Sequence, residues 1–148
     1  MIGIGGPMDE NELRRAIICD RRGILVGREL ASDCPGDCIA HLSGWHGMYA
    51  TPLRAKRAWA TPTRGDWGVG WPDLTLVSPR RGRVIFAELK SATGVIRPEQ
   101  RAVLHGLYVA GAEVHLWRPA DLDAGLIWRI MQAPEAQAPN MAELEVFG

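Results

Sequence analysis

The stretch from Asp73 to Leu89, DLTLVSPRRGRVIFAEL, constrains the fold more than any other part of the chain. Two apolar, β-branched runs of strand length flank SPRRG, where Pro79 presets φ and Gly82 permits unusual φ. Runs joined by so short a turn pair antiparallel. Side chains alternate faces along a strand, so Glu88 and Lys90 share one face and Leu89 points to the other. Asp73 starts the first run and Glu88 ends the second, which puts both acids at the same end of the hairpin. Three ionisable groups, Asp73, Glu88 and Lys90, are predicted to converge there.

Helix and strand signals surround this hairpin. Asp9 to Arg22 reads as a helix with Leu13, Ala16 and Ile17 as its apolar stripe, Asp9 and Glu12 as a capping box, and Gly23 as its end. Ile24 to Val26 and Cys38 to Leu42 read as short strands around an irregular stretch, and residues 43–70 lack any period and read as loop. SATGVI is a loop, Pro98 opens a helix that Gly111 closes, and EVHLWR is a strand stopped by Pro119. LIWRIM is ambiguous. The order implies an α/β chain with a mixed central sheet. One domain is expected over 1–131 with an irregular insertion at about 28–67, followed by a loose acidic tail over 132–148. No strand precedes GIGG at Gly3 to Gly6, so it does not signal a nucleotide-binding doubly wound fold.

At 148 residues the chain can bury the core of a single domain, and its 17 basic and 17 acidic side chains cancel. The balance is uneven along the chain. From Arg54 to Arg101 there are ten Lys and Arg against four Asp and Glu, whereas from Gln132 onward there are three acids and no base. That permits a polyanionic partner without requiring one. MIGIGGPMDE has neither a basic n-region nor an apolar h-region, and no run approaches a membrane span. Three cysteines, an odd number, fit free thiols in a reducing, cytoplasmic setting.

Two carboxylates held together repel, and one binds a proton unless a cation sits between them. Hard oxygen donors suit Mg²⁺ or Mn²⁺, and the carbonyl of Leu89, between Glu88 and Lys90, can add another oxygen. A metal there polarises a phosphoryl oxygen, and Lys90 either stands where charge builds up or helps orient the attacking water. This chemistry is that of a metal-dependent phosphodiesterase. Taken singly, each residue is better explained as a solvated charge or a turn. The joint spacing favours catalysis: G-x-P-D, an acid fifteen residues on at a strand end, and a lysine two later.

The residues GWPDLTLV, VIFAELKS and PEQ resemble the PD-(D/E)XK nuclease superfamily, and within it the VRR-NUC (virus-type replication-repair nuclease) branch. The likeness is good from Gly70 to Arg118, weaker over Asp9 to Arg22 and poor over Arg28 to Trp67. It implies a restriction-endonuclease-like α/β core and a metal held by Asp73, Glu88 and the Leu89 carbonyl, with Lys90 and Gln100 in the catalytic site. An acid on the first helix approaches the metal in the family, and Glu12 is the candidate, its alternative being the cap. Arg97 replaces the serine that often precedes PEQ; it cannot cap in the same way but can meet a phosphate. The resemblance further implies a structure-selective endonuclease of DNA replication, repair or recombination, similar to Holliday-junction resolvases. Branched or flapped DNA as substrate, a homodimer, and a phage or bacterial origin go with it.

Cys34, Cys38, His41 and His46 form a C-x3-C-x2-H-x4-H array. The spacing matches no familiar zinc motif, so unlinked thiols and histidines are expected rather than structural Zn²⁺. Trp45, Trp59, Trp67 and Trp71 fall in or beside a basic segment with Arg54, Lys56, Arg57 and Arg64. Together these suit stacking on unpaired bases with phosphate contacts, or the rings roof the core. Two other functions fit parts of the pattern: a catalytically silent nucleic-acid-binding module of the same fold, and a zinc-stabilised interaction protein.

Overall fold

The structure, a computed structural model, describes residues 8–18, 37–49 and 70–144. Helix α1 spans Glu10–Ile17 and opens on the expected capping box: Glu12 N donates to Asp9 Oδ1 at 2.8 Å, and Asp9 N donates to Glu12 Oε1 at 2.9 Å. It is shorter than the predicted Asp9–Arg22 helix. Ile18 turns extended and buries its side chain against Gly47. The expected Ile24–Val26 strand lies outside the described residues.

The expected strand at Cys38–Leu42 is instead a helix, α2 (Ile39–Ser43). Cys38 caps it through Sγ, which accepts from His41 N at 3.4 Å, and Gly44 ends it at φ 76°. Five residues are too few for apolar period to separate helix from strand, and the caps decide. The expected 43–70 loop contains a strand, β1 (His46–Tyr49), which pairs antiparallel with β2 (Leu74–Ser78).

The hairpin forms as predicted: β2 pairs antiparallel with β3 (Arg83–Leu89), with Leu74 opposite Ala87. Helix α3 (Pro98–Val109) crosses over to β4 (Glu113–Trp117), which lies parallel to β3. The mixed sheet has the order β1-β2-β3-β4. Two short helices follow, α4 (Pro119–Asp123) and α5 (Leu126–Gln132), the latter resolving LIWRIM as helical. A last turn, α6, covers Met141–Leu144.

Strand alternation sorts the sheet into two cores. Leu74, Leu76, Ile85, Ala87 and Leu89 pack with Leu13 and Ile17 of α1 and Ile127 and Met131 of α5. Phe86, Val114 and Leu116 face the other way, towards Leu104 and Leu107 of α3. Glu88 is in phase with Phe86, and so lies on the α3 side. Trp45 belongs to the first core, where its Nε1 donates to Met131 O at 2.9 Å; it roofs the core and is not free to stack on a base. Arg83 and Glu113 form a buried bidentate pair at the far end of the sheet, with His115 Nε2 2.9 Å from Glu113. Past α5, Gln137 N donates to Glu113 Oε2 at 3.1 Å.

Candidate active site

Continuing the β2–β3 register by one residue sets Asp73 opposite Glu88, on one face of the hairpin. Asp73 Oδ2 accepts from Leu89 N at 2.9 Å, which ties the residue before β2 to the end of β3. Lys90 follows, its backbone N donating to Trp117 O at 3.0 Å and its Nζ 3.8 Å from Glu88 Oε2. The predicted convergence of Asp73, Glu88 and Lys90 is therefore present.

Gln100 completes the group. Its Oε1 accepts from Arg97 N at 2.9 Å, the side-chain half of a capping arrangement at the start of α3. That leaves Nε2 to donate to Glu88 Oε2, also at 2.9 Å. One amide thus caps a helix and orients a carboxylate.

Gly70, which the sequence marks only as the first residue of G-x-P-D, makes this possible. A Cβ there would run into the backbone of Glu99 and Gln100, so only glycine lets the loop before Asp73 lie against the first turn of α3. The glycine of the G-x-P-D spacing was the available signal.

Glu88 is 2% exposed, and its Oε1 is buried with no hydrogen-bond partner. Burial, and then the neighbouring Asp73 charge, push its carboxyl up to about 9. Asp73 is raised too, chiefly by burial, against the lowering effect of the Leu89 N–H. Once either acid is protonated, the two share a hydrogen bond. A buried carboxyl with one oxygen unsatisfied, facing a half-buried one, needs a proton or a cation. A divalent ion that keeps several waters and takes one or two carboxylates fits that donor set.

The α1 acid whose charge reaches the pair is Glu10, which raises both Asp73 and Glu88. Glu12, the sequence candidate, is exposed and committed to the capping box. Arg97 is exposed at the mouth of α3 and pairs with Glu99 at 3.3 Å. Arg54, Lys56, Arg57, Arg64, Trp59, Trp67 and Cys34 lie outside the described residues. Trp71 is half-buried, edge-on to Phe86. Cys38 is buried with Sγ 3.5 Å from His41 Nδ1, and His46 is exposed on β1. Among the described residues no three His, Cys, Asp or Glu side chains group so as to hold an ion. Any ion at Asp73 and Glu88 would draw its remaining ligands from backbone and water.

The family model for the VRR-NUC domain matches residues 47–120, from β1 into α4. This chain belongs to the VRR-NUC family. It therefore carries a nuclease domain of the PD-(D/E)XK superfamily, whose substrate is nucleic acid, on the expected α/β core of a mixed sheet flanked by helices. The VRR-NUC match includes Gly70, Asp73, Glu88, Lys90 and Gln100 and leaves out α1 with Glu10 and Glu12. No curated protein and no solved structure gives a significant match. No helix among the described residues is long and apolar enough to cross a membrane.

Proposed function

We propose that the protein is a divalent-ion-dependent DNA endonuclease that hydrolyses phosphodiester bonds in branched or flapped duplexes during replication, repair or recombination. The observation that carries the catalytic part is buried Glu88 beside half-buried Asp73, with Glu88 Oε1 unsatisfied and Lys90 and Gln100 on Glu88. Mg²⁺, or Mn²⁺ in its place, would be held by Asp73, Glu88 and the Leu89 carbonyl, with Glu10 nearby; when bound, it supplies Lewis-acid polarisation of the phosphate and acidifies water.

The chain's own groups divide the remaining work. Lys90 puts a fixed cation beside the reacting phosphate, where negative charge grows in the transition state. Gln100 holds Glu88 in one orientation, and Asp73 is held by the Leu89 N–H, so neither carboxylate reorganises during the step. Arg97, with the basic residues Arg54, Lys56, Arg57 and Arg64, would contact phosphates along the strand and set affinity rather than chemistry. Preference for branched DNA, and action as a homodimer, follow from the likeness to stand-alone family members.

Digestion of matched linear, flapped and four-way DNAs, with an RNA control, tests the reading. Cleavage of the flapped or four-way substrates in Mg²⁺, and none in EDTA, is expected. Equal cleavage of linear DNA would remove the structural preference, and turnover in excess EDTA would remove the metal.

A further inference from the structure

We propose that Arg118 is a positioning residue of this site, clamping the turn that carries the chain away from Lys90, and that Glu143 of the C-terminal segment holds it in place. The inference rests on the nuclease reading and extends it to groups outside the carboxylate centre.

The turn over residues 91–94 has little to hold it. Ala92 and Thr93 are exposed, and Val95, just after it, is 76% exposed. Only Ile96 buries an apolar side chain before α3 begins. Yet two parts of the site depend on this turn. Gly94 lies beside the stem of Lys90: a Cβ there would stand 3.5 Å from Lys90 Cδ. Three residues later, the Arg97 N–H orients Gln100.

Arg118 supplies the missing support. It directly follows Trp117, whose carbonyl accepts from Lys90 N. Its Nη1 donates to Ser91 O and to Gly94 O, both at 2.8 Å, and so grips the two ends of the turn. The other edge of the guanidinium meets Glu143, Nη2 to Oε1 at 3.0 Å and Nε to Oε2 at 3.4 Å. Four acceptor oxygens on three residues suit the five-donor fork of arginine, and a lysine ammonium cannot span them. The Arg118 backbone is pinned separately, its N donating to Asp121 Oδ2 at 2.8 Å to cap α4. Truncating the side chain therefore removes the clamp and leaves the cap.

The test has two readouts on Arg118→Ala, Arg118→Lys, Glu143→Gln and the Arg118→Ala/Glu143→Gln double variant. The first is amide exchange of the metal-free protein. The Gly94 amide, bonded to Ser91 O, should exchange about tenfold faster or more in Arg118→Ala, which removes both charge-assisted hydrogen bonds to the turn, while β2 and β3 keep their protection. The second is single-turnover cleavage at saturating DNA in Mg²⁺. It should slow by about 10- to 100-fold with DNA affinity unchanged, as expected when a reacting group is misplaced by a fraction of an ångström to an ångström. Arg118→Lys should fall between, and the double variant should match Arg118→Ala, because Glu143 acts through Arg118. Unchanged Gly94 exchange in Arg118→Ala overturns the clamp whatever happens to cleavage. Faster exchange with unchanged cleavage overturns its catalytic purpose and leaves the nuclease reading intact. If the wild-type protein cleaves nothing, the nuclease reading falls first and the catalytic purpose of the clamp with it.

Discussion

The Leu89 backbone N–H donates to the Asp73 carboxylate at 2.9 Å, so the acid that begins one strand is fastened to the end of its neighbour. This bond separates two roles that one substitution would confuse. Asp73→Ala leaves the Leu89 N–H without its acceptor and should cost about 1–3 kcal/mol of stability, together with all cleavage. Asp73→Asn keeps an acceptor oxygen, so its melting temperature should stay near wild type while cleavage is still lost. Thermal melts beside a cleavage assay distinguish them. Equal destabilisation by Ala and Asn would contradict the role given to this bond.

The carboxylate pair should make stability depend on pH in a direction opposite to most acids. In the unfolded chain Glu88 titrates near 4.5, and in the fold burial and Asp73 push it up to about 9. Between those values the folded protein holds a proton that the unfolded chain has released. This contribution is fully present below about pH 4.5 and is lost as pH rises towards 9; by pH 7 the linked loss is on the order of 3 kcal/mol. Asp73, also raised, acts in the same sense. Glu113 acts oppositely: against the raising effect of burial, His115 and Arg83 hold it below the ordinary carboxylate range, so its contribution is lost only as pH falls into the acid range. In EDTA the melting temperature should drop between pH 6 and pH 9. Saturating Mg²⁺ should flatten that slope, because the cation replaces the proton, and Glu88→Gln should flatten it without metal. A level wild-type profile in EDTA would show that the pair carries no such strain.

Gly70→Ala should damage the site from a distance. The new methyl meets the backbone of Glu99 and Gln100, and a rigid backbone cannot yield as a flexible side chain would. The loop before Asp73 and the start of α3 must separate, with a stability loss of about 1–3 kcal/mol, typical of overpacking. Because Gln100 moves with α3, cleavage should fall further than the folded fraction does. A variant that melts lower yet cleaves at the wild-type rate per folded molecule would contradict this coupling.

Lys90→Ala separates chemistry from charge. If Lys90 stabilises the transition state, single-turnover cleavage at saturating DNA should fall by orders of magnitude with little change in affinity. If it is one phosphate contact among many, binding weakens, the salt slope falls by about one, and cleavage survives. Arg64→Ala provides the comparison for that second pattern.

The antiparallel hairpin and the meeting of Asp73, Glu88 and Lys90 at one end of it were legible in the sequence because strand alternation and a short turn fix them locally. The α3 limits were legible from Pro98 and Gly111. The helix at Ile39–Ser43 was not, because its cap is a cysteine sulfur, and β1 was hidden by an aperiodic, glycine-containing stretch. Long-range relations were the least readable. Nothing near Gly70 in sequence points to Glu99, and nothing near Arg118 points to the turn at Ser91. On α1 the family resemblance drew attention to an acid, but the capping box engages Glu12 and it is the charge of Glu10 that reaches the pair.

The most direct test of the central claim is single-turnover cleavage of saturating flapped or four-way DNA, comparing wild type in Mg²⁺, wild type in EDTA, and Glu88→Gln in Mg²⁺. The Asp73–Glu88 pair as the centre of a metal-dependent nuclease predicts cleavage only in the first, with DNA binding retained in the third. Wild-type cleavage undiminished by EDTA, or a Glu88→Gln protein that cleaves as fast as wild type, would contradict it.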